Sequence, residues 1–217
     1  MKKKRVAGGL TGIAALIAGF FCVTKYQGWQ EVKISNLQNM IAELEEEYVP
    51  LRFEMTGSGD GKSVNVSFLD LNGSVIREKE IDVNGTEAHF DFKVIELPPV
   101  KDSDSQQFMF FPYKFYSEKT APEDGLSLYD LYNKSGFPAI YTGFEKSLST
   151  ENYIYKNEYT QKLSETFGCI LNEETEKLSG FFGNAVHDAN NIFEFKKGYT
   201  YSLVCHPHTG AIEVRRE

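Results

Sequence analysis

Read from its N-terminus, the chain changes hydrophobic period several times, and each change marks a different element. Val6 to Thr24 reads VAGGLTGIAALIAGFFCVT, 19 residues without a charge. Such a run predicts a helix of about 28 Å, matched to the ~30 Å hydrocarbon thickness of a bilayer. From Gly28 to Val49 the apolar positions Leu37, Met40, Ile41, Leu44 and Tyr48 recur at helical spacing opposite Asn39, Glu43 and Glu46, which predicts an amphipathic stalk ending at Pro50.

Beyond Pro50 the period falls to two. Val64, Val66 and Phe68 alternate with Asn65 and Ser67, Ile81 and Val83 flank Asp82, and Phe90, Phe92 and Val94 alternate with Asp91 and Lys93. Asn72-Gly73 and Asn84-Gly85 punctuate these runs. Asn-Gly between alternating segments is a strong hairpin signal, because both residues tolerate the positive φ that tight β-turns require. The segment Phe108–Tyr116 (FMFFPYKFY) predicts a further strand, with Pro112 forcing an edge position or a bulge. One helical turn is expected over Leu126–Tyr132, and extended chain over Gly136–Gly143.

Between residues 150 and 179 the period is helical again. Tyr155, Tyr159, Leu163, Phe167 and Ile170 form one stripe, Ser149 or Thr150 stands at the N-cap, and Gly180 at the end. The tail returns to strands: Phe193–Phe195 (FEF), a Lys196-Lys197-Gly198 turn, YTYSLVC, a second turn at His206–Gly210, then AIEV. The fold class expected is therefore α+β, with antiparallel, sandwich-like sheets, one long helix and a C-terminal β-hairpin. The hairpin pattern resembles that of immunoglobulin-like and fibronectin-like sandwiches, without a Cys…Trp…Cys signature; the likeness is one of architecture and implies no activity. The expected organisation is a basic tail over residues 1–5, a transmembrane anchor over 6–24, the stalk over 25–49 and one β-rich domain over 50–217.

Charge orients this arrangement. Lys2, Lys3, Lys4 and Arg5 precede the apolar run and Lys25 alone follows it closely. The positive-inside rule then keeps the N-terminus cytoplasmic and places the C-terminal domain in the periplasm or outside the cell, a single-pass signal-anchor topology. A cleaved signal peptide is the rival reading. The apolar run exceeds the usual h-region, and Phe20, Phe21 and Cys22 close it where small residues would be needed. Removing the five basic residues of 1–25 leaves 18 basic against 31 acidic side chains, a net of −13 for the rest of the chain. A domain so acidic is repelled by phosphate backbones, which excludes nucleic acid as a partner.

Aromatic residues make up 14% of the chain, and rings favour strands, so the core is expected to be strand-built. The cluster Phe108–Tyr116 with Tyr129, Tyr132, Phe137 and Tyr141 has two readings: packed core, or the wall of a ligand groove that would leave several tyrosines exposed together. Candidate chemistry is sparse. Gly57–Ser63 (GSGDGKS) is one residue short of a phosphate-binding loop and runs into an alternating strand where that motif needs a helix. His187, His206 and His208 are candidate metal ligands, with Asp188 and Cys205 near in sequence. No catalytic residue and no cofactor is named by any motif. Cys169 and Cys205 are either a disulfide or two unrelated thiols. Asn65, Asn72, Asn84 and Asn133 head N-x-S/T sequons, which act as glycan acceptors in a eukaryotic secretory pathway and as plain turn residues elsewhere.

These features predict a membrane-anchored, non-catalytic envelope protein whose acidic outer domain serves protein–protein interaction or complex assembly. The partners expected are membrane lipid around the anchor and a protein, with self-association through Gly8, Gly12 and the stalk. The alternative is a membrane-tethered ligand binder or a hydrolytic or metal-binding enzyme using the aromatic strands and the C-terminal histidines.

Overall fold

The computed structural model describes residues 47–56, 62–85, 87–97, 106–143, 153–174, 185–194 and 196–217, with backbone alone for 153–159 and 185–194. All of these belong to the second of two compact units, Met1–Leu37 and Gln38–Glu217. The predicted tail, anchor and nearly all of the stalk lie outside the described residues. Among the described residues, no helix is long and apolar enough to cross a membrane.

The elements run in chain order as β1 (Tyr48–Met55), β2 (Lys62–Leu69), β3 (Val75–Val83), β4 (Glu87–Leu97), β5 (Gln107–Tyr116), β6 (Leu126–Ser127), β7 (Asn133–Lys134), β8 (Phe137–Pro138), α1 (Tyr153–Leu171), β9 (Ala185–Glu194), β10 (Thr200–His206) and β11 (Ala211–Arg216). Two antiparallel sheets hold most of them. The first has the order β11-β10-β1-β2-β3 and the second β6-β5-β4-β9, while β7 and β8 form a small ladder of their own. The fold is thus β-rich with one described helix, as the alternating pattern predicted.

The alternation is also what makes the two layers meet. Val64, Val66 and Phe68 on β2, and Leu51 and Phe53 on β1, are buried, so one face of the first sheet is apolar. Phe90, Phe92 and Val94 on β4 supply the facing surface. The Phe53 and Phe90 rings bridge the layers at 5.1 Å between centroids. Tyr201 stacks on Phe53 from β10, also at 5.1 Å. Each such ring removed from water contributes about 1.5–3 kcal/mol.

Turn chemistry fixes the register. Between β2 and β3, Asp70 Oδ1 accepts from the backbone N–H groups of Asn72 and Ser74, both at 2.9 Å, and Gly73 takes a φ of +74°. Of the edge position or bulge expected at Pro112, the strand forms a bulge. Asp91 stands opposite Lys114 while Phe92 stands opposite Pro112, so Tyr113 is the extra residue.

Several boundaries differ from the sequence reading. β1 begins at Tyr48, so that residue of the expected stripe is in a strand, and Pro50 lies inside the strand. The ladder to β10 shifts register between Tyr48 and Leu51, which accommodates a residue with no N–H to give. α1 ends at Leu171, well before Gly180: Glu173 adopts a φ of +56° and the Glu174 N–H donates to the Cys169 carbonyl at 2.8 Å. The segments 126–132 and 136–143 each divide into a two-residue strand and a 3-10 turn, at Tyr129–Leu131 and Ala139–Tyr141. The Lys196-Lys197-Gly198 turn joins strands of different sheets, leaving β10–β11 as the C-terminal hairpin.

Candidate functional site

Most of the aromatic cluster is core, with Phe108, Tyr113 and Phe137 half-buried. Tyr129, Tyr132 and Tyr141 are all buried, as are Phe110, Phe111 and Phe115. The groove reading required exposed tyrosines and is corrected on that ground. Phe167 on α1 inserts among Phe111, Tyr129 and Tyr132 with centroids 5.9, 5.7 and 5.5 Å away. Phe68 reaches Tyr132 from β2 at 5.5 Å. Helix, 3-10 turns and both sheets therefore share one set of rings.

The buried hydroxyls of these tyrosines close the outer side of β5. The Tyr141 hydroxyl accepts from the Phe110 N–H at 2.8 Å and donates to the Phe110 carbonyl at 2.9 Å. It also lies 2.9 Å from the Tyr48 hydroxyl. Tyr132 donates to the Pro112 carbonyl at 2.8 Å, the Phe108 N–H donates to the Pro207 carbonyl at 2.8 Å, and the Leu128 N–H to the Tyr113 carbonyl at 2.9 Å. β6 covers the far end of the strand, with Ser127 opposite Lys114 and Leu126 opposite Phe115. Burial pushes the Tyr48, Tyr132 and Tyr141 phenols far up, so these groups stay protonated and act only as hydrogen-bonding partners.

The three candidate metal ligands do not assemble on one strand pair. His187 is paired through its backbone with Val94 in the four-stranded sheet, whereas His206 ends β10 in the other and His208 is exposed in the following turn. His206 instead joins an ionic cluster. Its Nε2 lies 3.3 Å from Glu213 and its Nδ1 3.7 Å from Glu47. Arg215 donates to Glu47 at 2.7 Å and to Glu213 at 3.0 Å. Hydrogen bonding from Arg215 holds both carboxyls below the usual carboxylate range. Among the described residues, no group of three or more His, Cys, Asp or Glu side chains is arranged to hold a metal ion.

Cys205 is buried and burial raises its thiol, which removes it as a nucleophile at neutral pH. Neither Cys169 nor Cys205 is in a disulfide. Gly57–Gly61 lies outside the described residues, and Lys62 and Ser63 already belong to strand β2, so no helix follows the glycine-rich segment. Two sequon asparagines serve their turns: Asn72 as above, and Asn133, whose Oδ1 accepts the Gly136 N–H at 2.8 Å.

One polar cluster had no signal in the sequence. Asp91, expected to face solvent, is buried on the side of β4 turned away from Phe90, and accepts the Tyr116 hydroxyl at 3.2 Å. The His89 ring stacks on Tyr116 at 4.9 Å, with its Nε2 3.5 Å from Glu87. Desolvation, reinforced by the Asp91 charge, pushes the Tyr116 phenol up to about 12. A phenol so held donates a hydrogen bond and cannot serve as a base near neutrality. Lys93 and Lys114 flank the neighbouring Tyr113 ring at 4.6 and 5.1 Å. Only the pairing of β4 with β5 brings these residues together.

Comparison with known protein families, with characterised proteins and with solved structures finds no match.

Proposed function

We propose that this chain is a membrane-anchored, non-catalytic envelope protein that presents an acidic β-rich domain to a protein partner. The observation that carries the reading is the strand at which the tether joins the domain. Glu47 leads directly into β1, the middle strand of five, with β10 on one side and β2 on the other. A pull along the tether is resisted by two antiparallel ladders at once, as suits a domain held at the end of an anchor. Arg215, bonded to Glu47 from the C-terminal hairpin, adds a clasp where β1 begins. The charge-free run Val6–Thr24 behind Lys2–Arg5 supplies the anchor and its orientation. The aromatic strands give no support to a ligand-binding alternative, because their rings are packed against one another.

Two measurements on the full-length protein in its own cells test this. Protease added outside the cytoplasmic membrane should digest the domain, and a domain protected until the membrane is broken would overturn the topology. In-cell crosslinking followed by mass spectrometry should return one dominant, reproducible protein. Recovery of nothing above background would end the docking reading.

A further inference from the structure

The outer side of β3 is treated differently from that of β5. β2 takes one side of β3; among the described residues its other side makes no backbone hydrogen bond. The 3-10 turn at Tyr129–Leu131 approaches only one end, where the Arg77 guanidinium donates to the Asp130 carbonyl at 3.0 Å. From Glu78 to Val83 none of the described residues pairs with that edge, and Glu78, Lys79, Glu80 and Asp82 are exposed. That stretch is as long as an ordinary strand, about 5–6 residues.

Its charges are sorted by face. Ile81 stands opposite Val64 and Lys79 opposite Val66, on the side turned toward the second sheet. Glu78, Glu80 and Asp82 stand opposite Ser67, Asn65 and Ser63 on the outer side. The Ser63 and Thr56 hydroxyls donate to Glu80 at 2.6 and 3.1 Å and hold its carboxyl below the usual range. Ser67 donates to Glu78 at 3.2 Å.

This sorting decides what can pair there. Two copies of β3 meeting edge to edge in one continuous sheet are related by a two-fold axis perpendicular to it, which sets outer-face residues only against outer-face residues. In every register that pairs the two Glu78–Val83 stretches with each other, acids among Glu78, Glu80 and Asp82 oppose one another, and like charges directly opposite are destabilising. The edge rejects a second copy of itself and selects a strand of the opposite charge.

We propose that β3 from Glu78 to Val83 is a docking edge for an extended segment of a partner protein with lysine or arginine at alternate positions. The segment adds as a sixth antiparallel strand. Backbone bonds give affinity, and the basic side chains meet Glu78, Glu80 and Asp82. The inference rests on the protein-docking reading and names its surface and the chemistry of its partner.

The test uses the full-length chain in detergent and two fluorescent six-residue peptides: Thr-Lys-Val-Lys-Glu-Lys, complementary to Val83–Glu78, and its charge-reversed counterpart Thr-Glu-Val-Glu-Lys-Glu. By anisotropy the lysine peptide should bind roughly tenfold more tightly than its charge-reversed counterpart at low salt. The double variant Glu78→Lys, Glu80→Lys should reverse the order, and methylating the backbone nitrogens of the lysine peptide should abolish binding. No binding, equal binding of the two peptides, or undiminished binding of the methylated peptide would overturn the proposal. If the double variant fails to fold, the methylated peptide on the unaltered chain decides. In-cell crosslinks that map to a partner away from β3, with no peptide preference, would sink this inference and leave the docking reading standing. A chain with no partner in cells fails that reading separately.

Discussion

The hydroxyl of Tyr141 occupies the place of a neighbouring strand beside Phe110, taking the Phe110 N–H at 2.8 Å and giving its own proton to the Phe110 carbonyl at 2.9 Å. One side-chain oxygen thus satisfies both backbone groups of a residue in a buried strand. Tyr141→Phe keeps the ring and removes that oxygen, leaving a buried donor, a buried acceptor and the Tyr48 hydroxyl short of a partner. Each such group costs about 1–3 kcal/mol, so a loss of roughly 3 kcal/mol is expected in urea unfolding. Tyr199→Phe, at a ring 40% exposed, should change stability by less than about 0.5 kcal/mol.

Phe167 is the side chain that ties α1 to the rings of Phe111, Tyr129 and Tyr132. Phe167→Ala should cost about 3–5 kcal/mol and weaken the near-ultraviolet circular dichroism of the tyrosines. An unchanged aromatic spectrum would mean that the helix is not part of the core.

The positions that were legible in the sequence are those where a local rule suffices. Val64, Val66 and Phe68 announced β2 by period, and Asn72-Gly73 announced the turn after it. Pro112 announced a bulge, because a residue with no N–H cannot hold a regular ladder. Leu163, Phe167 and Ile170 announced the buried stripe of α1. The hidden part depends on pairing across long separations. Nothing in β9 and β10 says that they enter different sheets, and nothing around Asp91 says that Tyr116 will bury it. The run from Leu37 to Tyr48 reads as one amphipathic helix, yet Tyr48 is taken by β1 because Cys205 stands ready to pair with it. Tertiary partners override local period there. The placement of the candidate ligands was equally hidden: the backbones of His187, His206 and His208 are distributed over two sheets and a turn.

Alkaline pH should unfold the domain in a window set by its phenols. Tyr116 titrates at about 12 when folded against an ordinary 10.0, and Tyr48, Tyr132 and Tyr141 are shifted the same way. A pKa raised by folding contributes stability that is complete below the unfolded value and disappears as pH climbs through the folded one. Stability should therefore fall from about pH 10 upward, and phenolate absorbance should show a late, cooperative group among the 12 tyrosines. Smooth titration of all of them near 10 would contradict the buried hydroxyl network.

At the acid end the sign reverses. Glu47 and Glu213 are held down by Arg215, and Glu80 by Ser63 and Thr56, so their contribution is complete above the ordinary 4.5 and is lost as pH falls through their folded values. Arg215→Gln should return Glu47 and Glu213 toward 4.5 while leaving Glu80 unmoved. Carboxyl chemical shifts followed by NMR would show whether the two groups separate in this way.

In a Cys22→Ser chain the two remaining thiols should react very differently with a maleimide. Cys169 is half-buried on α1 and Cys205 fully enclosed in β10. One thiol should be labelled in the native protein and the second only at the rate of unfolding. Equal rates would show that β10 opens far more readily than a strand flanked on both sides should.

The position of β1 also governs the order in which the protein can be completed. One of its neighbours, β2, comes directly after it in the chain, but the other is β10, which lies almost at the C-terminus, with Phe53 opposite Tyr201. A chain synthesised from its first residue must carry β1 with one side bare until nearly the last residues have emerged. Closing so long a loop is slow relative to local pairing. Local pairing favours early formation of the β1–β2–β3 meander, with β10 added last. Nascent chains halted before β10 would therefore leave that flank of β1 without its partner strand.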